Sequence, residues 1–346
     1  MLSSLSENSI LTKLKALYGN RLKLDDYKEL SRKQGVSEIA FYLKNQTHFK
    51  ETLSFINENL IHRGQLENLL KKDLYYEYTK LCGYQFEKNN GFYQYFIVSI
   101  EIEQIISCIT HLYSNDRESY LTSVPSFIKE NTSFDLLKLA LAEKFDDLIS
   151  LLSNTPYRDI IKKVRPPEGE KPDILKCEHM LLKYYYEYVF SLIDKHFKGK
   201  TKSNLKNIFL LQCELYNLSI IFRIKTYFNN DLSIISNSLL PFNYILSKRT
   251  LNNIVECQTV EQARNILSKT KYGKYPKNLD NTSLENLSSY ILKQFSKKIM
   301  RYSTSPPAVL VSFLFLSQIE LSNLIIIIEG VRYKLSPTEI QNLIIL

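Results

Sequence analysis

Apolar residues recur along this chain at steps of three and four, the period of a helix with one side turned to a core. The pattern is sustained in three stretches: Leu66, Leu70, Leu74, Tyr78 and Leu81; Leu182, Tyr186, Val189, Ile193 and Phe197; and Leu284, Leu287, Ile291, Phe295, Ile299 and Tyr302. Each predicts a helix of about twenty residues, ~30 Å long. The second stretch also carries Leu181, Tyr185, Tyr188 and Leu192 on its other side, so it needs neighbours on both faces. The stretches end at Asn89-Asn90-Gly91, at Lys198-Gly199-Lys200 and at Ser303 through Pro307, where Gly or Pro stops a helix. Because more apolar sequence lies beyond each break, each stretch is expected to form the first arm of a helical hairpin.

Comparison of the chain with itself shows that the three stretches belong to one repeating pattern. A Glu followed three places on by an amide and then an aliphatic residue occurs as Glu101-Ile-Glu-Gln104-Ile105, Glu214-Leu-Tyr-Asn217-Leu218 and Glu320-Leu-Ser-Asn323-Leu324, 113 and 106 residues apart. A second Glu, in Leu66-Glu67-Asn68, Cys177-Glu178-His179 and Leu284-Glu285-Asn286, precedes the first by 34, 36 and 35 residues. A third marker, Thr with an aromatic two places on, appears as Thr47-His48-Phe49, Thr155-Pro156-Tyr157 and Thr270-Lys271-Tyr272, with Leu43, Leu151 or Ile266 four places before the Thr. A unit of about 110 residues is domain-sized and can hold a small core of its own. The expected architecture is all-α: three pseudo-repeated helical bundles, residues 1–125 (with an N-terminal helix), 126–240 and 241–346, around a pseudo-threefold axis. Linkers are expected near Tyr120 to Ser126 and Ser236 to Pro241.

Composition supports several cores. A chain of 346 residues exceeds what one core commonly fills, and its 9 Gly and 10 Pro are too few for a many-turned β architecture. The five cysteines, Cys82, Cys108, Cys177, Cys213 and Cys257, are odd in number and lack a CxxC pair, which speaks for a reducing compartment and against a disulfide frame or zinc site. No secretory signal is read at Met1 to Lys13. The longest uncharged stretch, Tyr302 to Ile319, contains Pro306-Pro307 and ends at Glu320, so it is expected to be buried in protein.

Candidate chemistry is sparse, and no catalytic, cofactor-binding or metal-binding residue is expected. Gly199-Lys200-Thr201 has the tail of a phosphate-binding loop, but the Gly required five places earlier is Asp194, so a hairpin tip is expected instead. His48, His62, His111, His179 and His196 show no metal-ligand spacing and read as surface or capping residues. Glu101, Glu214 and Glu320 recur once per copy, which places them in equivalent positions of separate units; a structural role is expected, such as a helix-to-helix hydrogen bond from the paired amide. The net charge of +9, with basic runs at Lys195 to Lys206 and Lys269 to Lys277, leaves an alternative open: a basic helical-repeat scaffold binding nucleic acid or another acidic partner.

The joint order of these motifs resembles the C subunit of V-type ATPases, whose eukaryotic form is called the d subunit. Leu14-Lys-Ala-Leu17, Arg21-Leu22 and Asp26-Tyr27-Lys28-Glu29-Leu30 look like its opening helix and the residues after that helix. Val260-Glu261-Gln262-Ala263 through Leu267-Ser-Lys-Thr270-Lys-Tyr272-Gly273 is similar to its Leu-x-x-Thr-x-Tyr-Gly element, and Glu320 through Gly330 to Leu335-Ser336-Pro337-Thr338-Glu339-Ile340 resembles its closing segment. Phe49 and Gln104 depart from the pattern of the other two copies. The resemblance implies a non-catalytic rotor part, a funnel-shaped socket at the cytoplasmic face of the membrane. Its partners would be central-stalk shaft subunits, the proteolipid ring and the membrane stator subunit, with no nucleic acid, small-molecule substrate or cofactor. Hairpin tips near Asn90, Lys200 and Ser305 are the expected shared contact end.

Overall fold

The computed structural model describes residues 2–83, 91–113, 120–121, 124–128, 131–167, 169–228, 231–275 and 284–346, with the side chains of 2–7, 126 and 284–286 left aside. The protein is all-helical, and no strand occurs among the described residues. The chain divides into two compact units, one made of Met1–Asn89 with Tyr275–Leu346 and the other of Asn90–Lys274. Tip residue Asn90 and residues 122–123 of the expected Tyr120–Ser126 linker fall outside the described residues.

In the first unit, α1 (Leu2–Gly19) is followed by two shorter helices, α2 (Leu24–Leu30) and α3 (Val36–Gln46), and then by α4 (Arg63–Gly83). The unit is completed by the last part of the chain: α14 (Leu284–Tyr302), α15 (Pro306–Arg332) and α16 (Pro337–Leu343). The long helix α15 is its axis, with α1, α3, α4, α14 and α16 all packed on it. Tyr27, Leu30, Ile39, Leu43, Phe49, Leu66 and Leu70 from the N-terminal part bury against Leu324, Ile327, Ile328 and Val331 of α15 and Ile340 of α16. Helix α15 is long and apolar enough to cross a membrane, yet most of its surface is covered by protein, in keeping with the reading of Tyr302 to Ile319.

The second unit begins with α5 (Gln94–Leu112) and continues through three short helices, α6 (Leu136–Ala140), α7 (Phe145–Leu151) and α8 (Tyr157–Lys163). Two long helices come next, α9 (Ile174–His196) and α10 (Gly199–Tyr227), and then α11 (Leu232–Ser238), α12 (Lys248–Glu256) and α13 (Val260–Ser268). Helix α9 packs on both α5 and α10. This explains its two apolar faces: Leu181 and Tyr185 are buried together with Tyr186, Val189 and Ile193. Helix α11 covers Ser236 to Ser238, so the expected linker there is helical in its first half.

The first stretch is buried as read, Leu66, Leu70, Leu74, Tyr78 and Leu81 all lying inside α4. The hairpin expected to continue from it is a different matter. Helix α4 packs on α15 in one unit, while α5 packs on α9 in the other. The third stretch is also only partly as expected. Ile291 is buried, but Tyr302 is exposed, and the inward side of α14 runs through Ser296 and Met300. Ser296 on α14 and Ser312 on α15 lie the same number of positions from the turn at Ser303–Ser305, and both are fully buried.

Candidate functional site

The chemistry of this protein concentrates in the three glutamates that the repeat singled out, each in the middle of a long apolar helix. Glu214 on α10 is completely buried. Its carboxylate accepts backbone N–H bonds from Tyr244 (2.7 Å), Ile245 (3.0 Å) and Leu246 (3.0 Å), and the Tyr272 hydroxyl donates to it at 2.5 Å. Glu101 on α5 accepts from the Ser133 backbone N–H and from the Tyr157 hydroxyl at 2.6 Å. Burial, with the Glu101 charge next to it, pushes the Tyr157 phenol far above its ordinary value, so it remains a proton donor.

Glu320 on α15 takes its partners from the start of the chain. The Leu22 backbone N–H donates at 2.9 Å, Arg21 Nη1 lies 3.0 Å from Oε1, and His48 Nε2 lies 3.2 Å from the same oxygen. Arg21 is held in turn by Glu77 of α4, by Ser317 Oγ at 2.6 Å and by the Phe313 ring 4.8 Å away. Burial by itself would raise the Glu320 carboxyl. The His48 hydrogen bond, the electrostatic pull of Arg21 and His48 and the Leu22 amide outweigh it and hold the group below the usual carboxylate range.

The paired amides do something the sequence reading did not foresee. Asn217 Nδ2 donates to the Leu240 carbonyl at 2.9 Å while its Oδ1 accepts from the Leu240 N–H at 2.8 Å. Asn323 holds Ile345 in the same two-way fashion, at 2.8 and 2.9 Å. These bonds run from a long helix to the chain that continues beyond it, and Asn323 also meets the Tyr27 hydroxyl of α2. A single side chain that satisfies both backbone groups of a buried residue lets an irregular segment cross an apolar surface without stranding polar atoms.

The Thr marker has a local cause. Thr47, Thr155 and Thr270 donate their hydroxyls to the carbonyls of Leu43, Leu152 and Leu267 and accept from the N–H of Phe49, Tyr157 and Tyr272. Each Thr closes one helix and opens the next turn, which aims the aromatic inward. The buried aliphatic lies four places before the Thr in the first case (Leu43), but in the other two it is Leu152 and Leu267, three places before. Gly273 stands after Tyr272 because a Cβ there would come within 1.8 Å of the Ser268 carbonyl oxygen.

Other sequence candidates resolve more simply. Gly199, the first residue of α10 after the two-residue turn from α9, has φ 55°, so the Gly of the apparent phosphate loop answers to turn geometry. Lys202 and Lys206 close on Asp194 at 2.9 and 2.7 Å, which uses up part of the basic run. The second glutamates are paired: Glu67 with Arg63 at 2.8 Å, whose guanidinium reaches Glu329 at 2.7 Å, and Glu178 with Arg223 at 3.8 Å. His111 caps the Ser107 carbonyl and His179 bonds the Ser238 carbonyl. His48 corrects the reading of the histidines as surface or capping residues, because it sits in the Glu320 cluster. The sequence signal was there: Phe49 lacks the hydroxyl its two counterparts carry, and His48 beside it supplies a donor. All five cysteines are free, and burial pushes the Cys82 and Cys177 thiols up to about 12. Among the described residues, no three His, Cys, Asp or Glu side chains converge as metal ligands would.

Residues 10–343 match the family described as ATP synthase (C/AC39) subunit. The chain belongs to this family. It is similar to the C subunit of the A-type ATP synthase of Methanosphaera stadtmanae, with 26% identity over 218 residues, 60% of this chain and 56% of the relative. The alignment thus spans a little over half the relative's length. The matched range spans the positions of all three glutamates and of Arg21, His48, Tyr157 and Tyr272. In this C/AC39 protein the buried carboxylates direct their lone pairs at the protein's own amides, hydroxyls and cations. Chemically, such an arrangement fastens one segment to another.

Proposed function

We propose that this C/AC39 protein is a non-catalytic rotor part of a V-type rotary ATPase, a socket that couples central-stalk shaft subunits to the membrane proteolipid ring. One observation carries the reading beyond family membership. Among the described residues, the three most deeply buried carboxylates are engaged by donors from the protein's own loops and N-terminal segment, a pattern suited to holding shape under load. In this reading the three sequence copies, 1–125, 126–240 and 241–346, are bundles about a pseudo-threefold axis, forming a funnel at the cytoplasmic face of the membrane. The stator subunit lies close by. Torque passes through close-packed helices, which deform little. Partner contact belongs to the hairpin tips near Asn90, Lys200 and Ser305.

The test is an affinity pull-down from solubilised native membranes with tagged protein, the retained partners identified by mass spectrometry. Co-recovery of shaft subunits and the proteolipid is expected. Recovery of nucleic acid, or of unrelated proteins without any ATPase component, would overturn the assignment.

A further inference from the structure

The three glutamates are closed in two different ways. For Glu101 and Glu214 the backbone donors come from 32 residues further along the same strand of chain, Ser133 and Leu246. Glu320 lies near the end of the chain, and its equivalent donor is Leu22, 298 positions away. The segment that starts at Leu22 therefore stands over α15 where a directly continuing chain stands over α5 and α10. It also brings the same parts: two helices, a Thr-headed turn and an inward aromatic, here Phe49.

Closing a loop about nine times longer is less favourable by roughly thirtyfold in equilibrium constant, by the three-halves power of loop length. The N-terminal segment is joined to α1 and α4, which themselves pack on α15, and not to the end of α15 as a directly continuing chain would be. It also carries a different set of donors. Where the other two segments present a neutral Tyr hydroxyl, this one presents the Arg21 guanidinium and the His48 imidazole, with Glu77 of α4 as a second anion for Arg21. The polar groups facing this cluster are Tyr27 from α2, Asp73 and Glu77 from α4, Lys293 from α14, and Ser317, Glu320 and Asn323 from α15.

We propose that Arg21, His48, Glu77 and Glu320 form a charge-coded clasp that directs the N-terminal segment, residues 22–50, onto the last long helix, and that loss of the clasp loosens this segment alone. The code works by exclusion. Phe49 cannot give Glu101 or Glu214 the hydroxyl bond they take from Tyr157 and Tyr272, and a Tyr-bearing segment over Glu320 would leave Arg21 and Glu77 without their partner. Charge-assisted bonds are about twice as strong as neutral ones, which fits the closure made across the greatest separation in sequence.

The experiment is hydrogen–deuterium exchange with mass spectrometry on the full-length protein under native conditions, comparing Glu320→Gln and Arg21→Gln with Glu214→Gln. Glu320→Gln is expected to speed exchange in peptides from 22–50 by about tenfold or more while peptides from 131–167 and 244–275 are unchanged. Glu214→Gln is expected to act in the opposite way, on 244–275 and not on 22–50. The milder Arg21→Gln tests the same point if Glu320→Gln does not fold. Acceleration spread evenly over both units, or unchanged exchange in 22–50 in a folded variant, would overturn the clasp.

Discussion

Tyr272 and Glu214 show how much a single hydroxyl can matter inside this protein. The carboxylate is fully buried and keeps three backbone donors if the phenol is lost, so removal weakens the site without emptying it. Tyr272→Phe is expected to destabilise the second unit by ~1.5–3 kcal/mol, the range for a hydrogen bond to a charged group, as read by chemical denaturation. Phe49→Tyr should give no matching gain, because His48 and Arg21 already serve Glu320. The same cluster sets an acid limb. Glu320 is held below the ordinary carboxylate value, so the stability it contributes is present above pH 4.5 and is lost as pH falls through its lowered value. Glu77, raised chiefly by its burial, acts the other way and in a window above pH 4.5. Melting temperature measured below pH 4.5 should therefore fall less in Glu320→Gln than in the parent, although the variant is less stable at pH 7.

At the scale of elements, the apolar period correctly marked long helices but was less informative about which side of each lies inward. Helix α4 was legible because Leu66, Leu70, Leu74, Tyr78 and Leu81 form one buried stripe, and the helix packs on α15. Helix α14 was not, because its buried side includes Ser296, a small polar residue that no hydrophobic count weighs. Ser296 Oγ and Ser312 Oγ are both buried without a hydrogen-bond partner among the described residues. Ser312→Ala should accordingly be neutral or stabilising by up to ~1 kcal/mol, since it removes an unsatisfied hydroxyl. Ser312→Leu should cost ~1–3 kcal/mol by overpacking the helix pair. Thermal melts of the two variants compared with the parent check both signs, and a large loss in the alanine variant would mean the hydroxyl is satisfied.

For the whole molecule, the proposed socket makes its own demand. If partner contact belongs to the hairpin tips, charge reversal at Lys200 together with Asp substitution of Asn90 and Ser305 should abolish retention of one partner class, ring or shaft, in the pull-down. The Lys200 change alone should move the melting temperature little, because Lys200 is exposed and exposed substitutions away from special features usually change stability by less than ~0.5 kcal/mol. Retention of both partners by a folded triple variant would remove the tips from the interface.

The sequence by itself determined the helical class, the length of the main helices and the three glutamates, because periodicity, breaks and repeated markers are local or self-referential and survive without coordinates. It also held the Thr-x-aromatic turn, whose hydrogen bonds close within five residues. Tertiary structure alone decided what each glutamate grips, since Glu320 and Leu22 are 298 positions apart and nothing in the order of residues says that the end of the chain is finished by its beginning. It decided as well that α4 and α5, neighbours in sequence, serve different compact units. The physical reason is that burial is satisfied by whichever apolar face fits and whichever donor meets a buried charge, and neither condition depends on proximity along the chain.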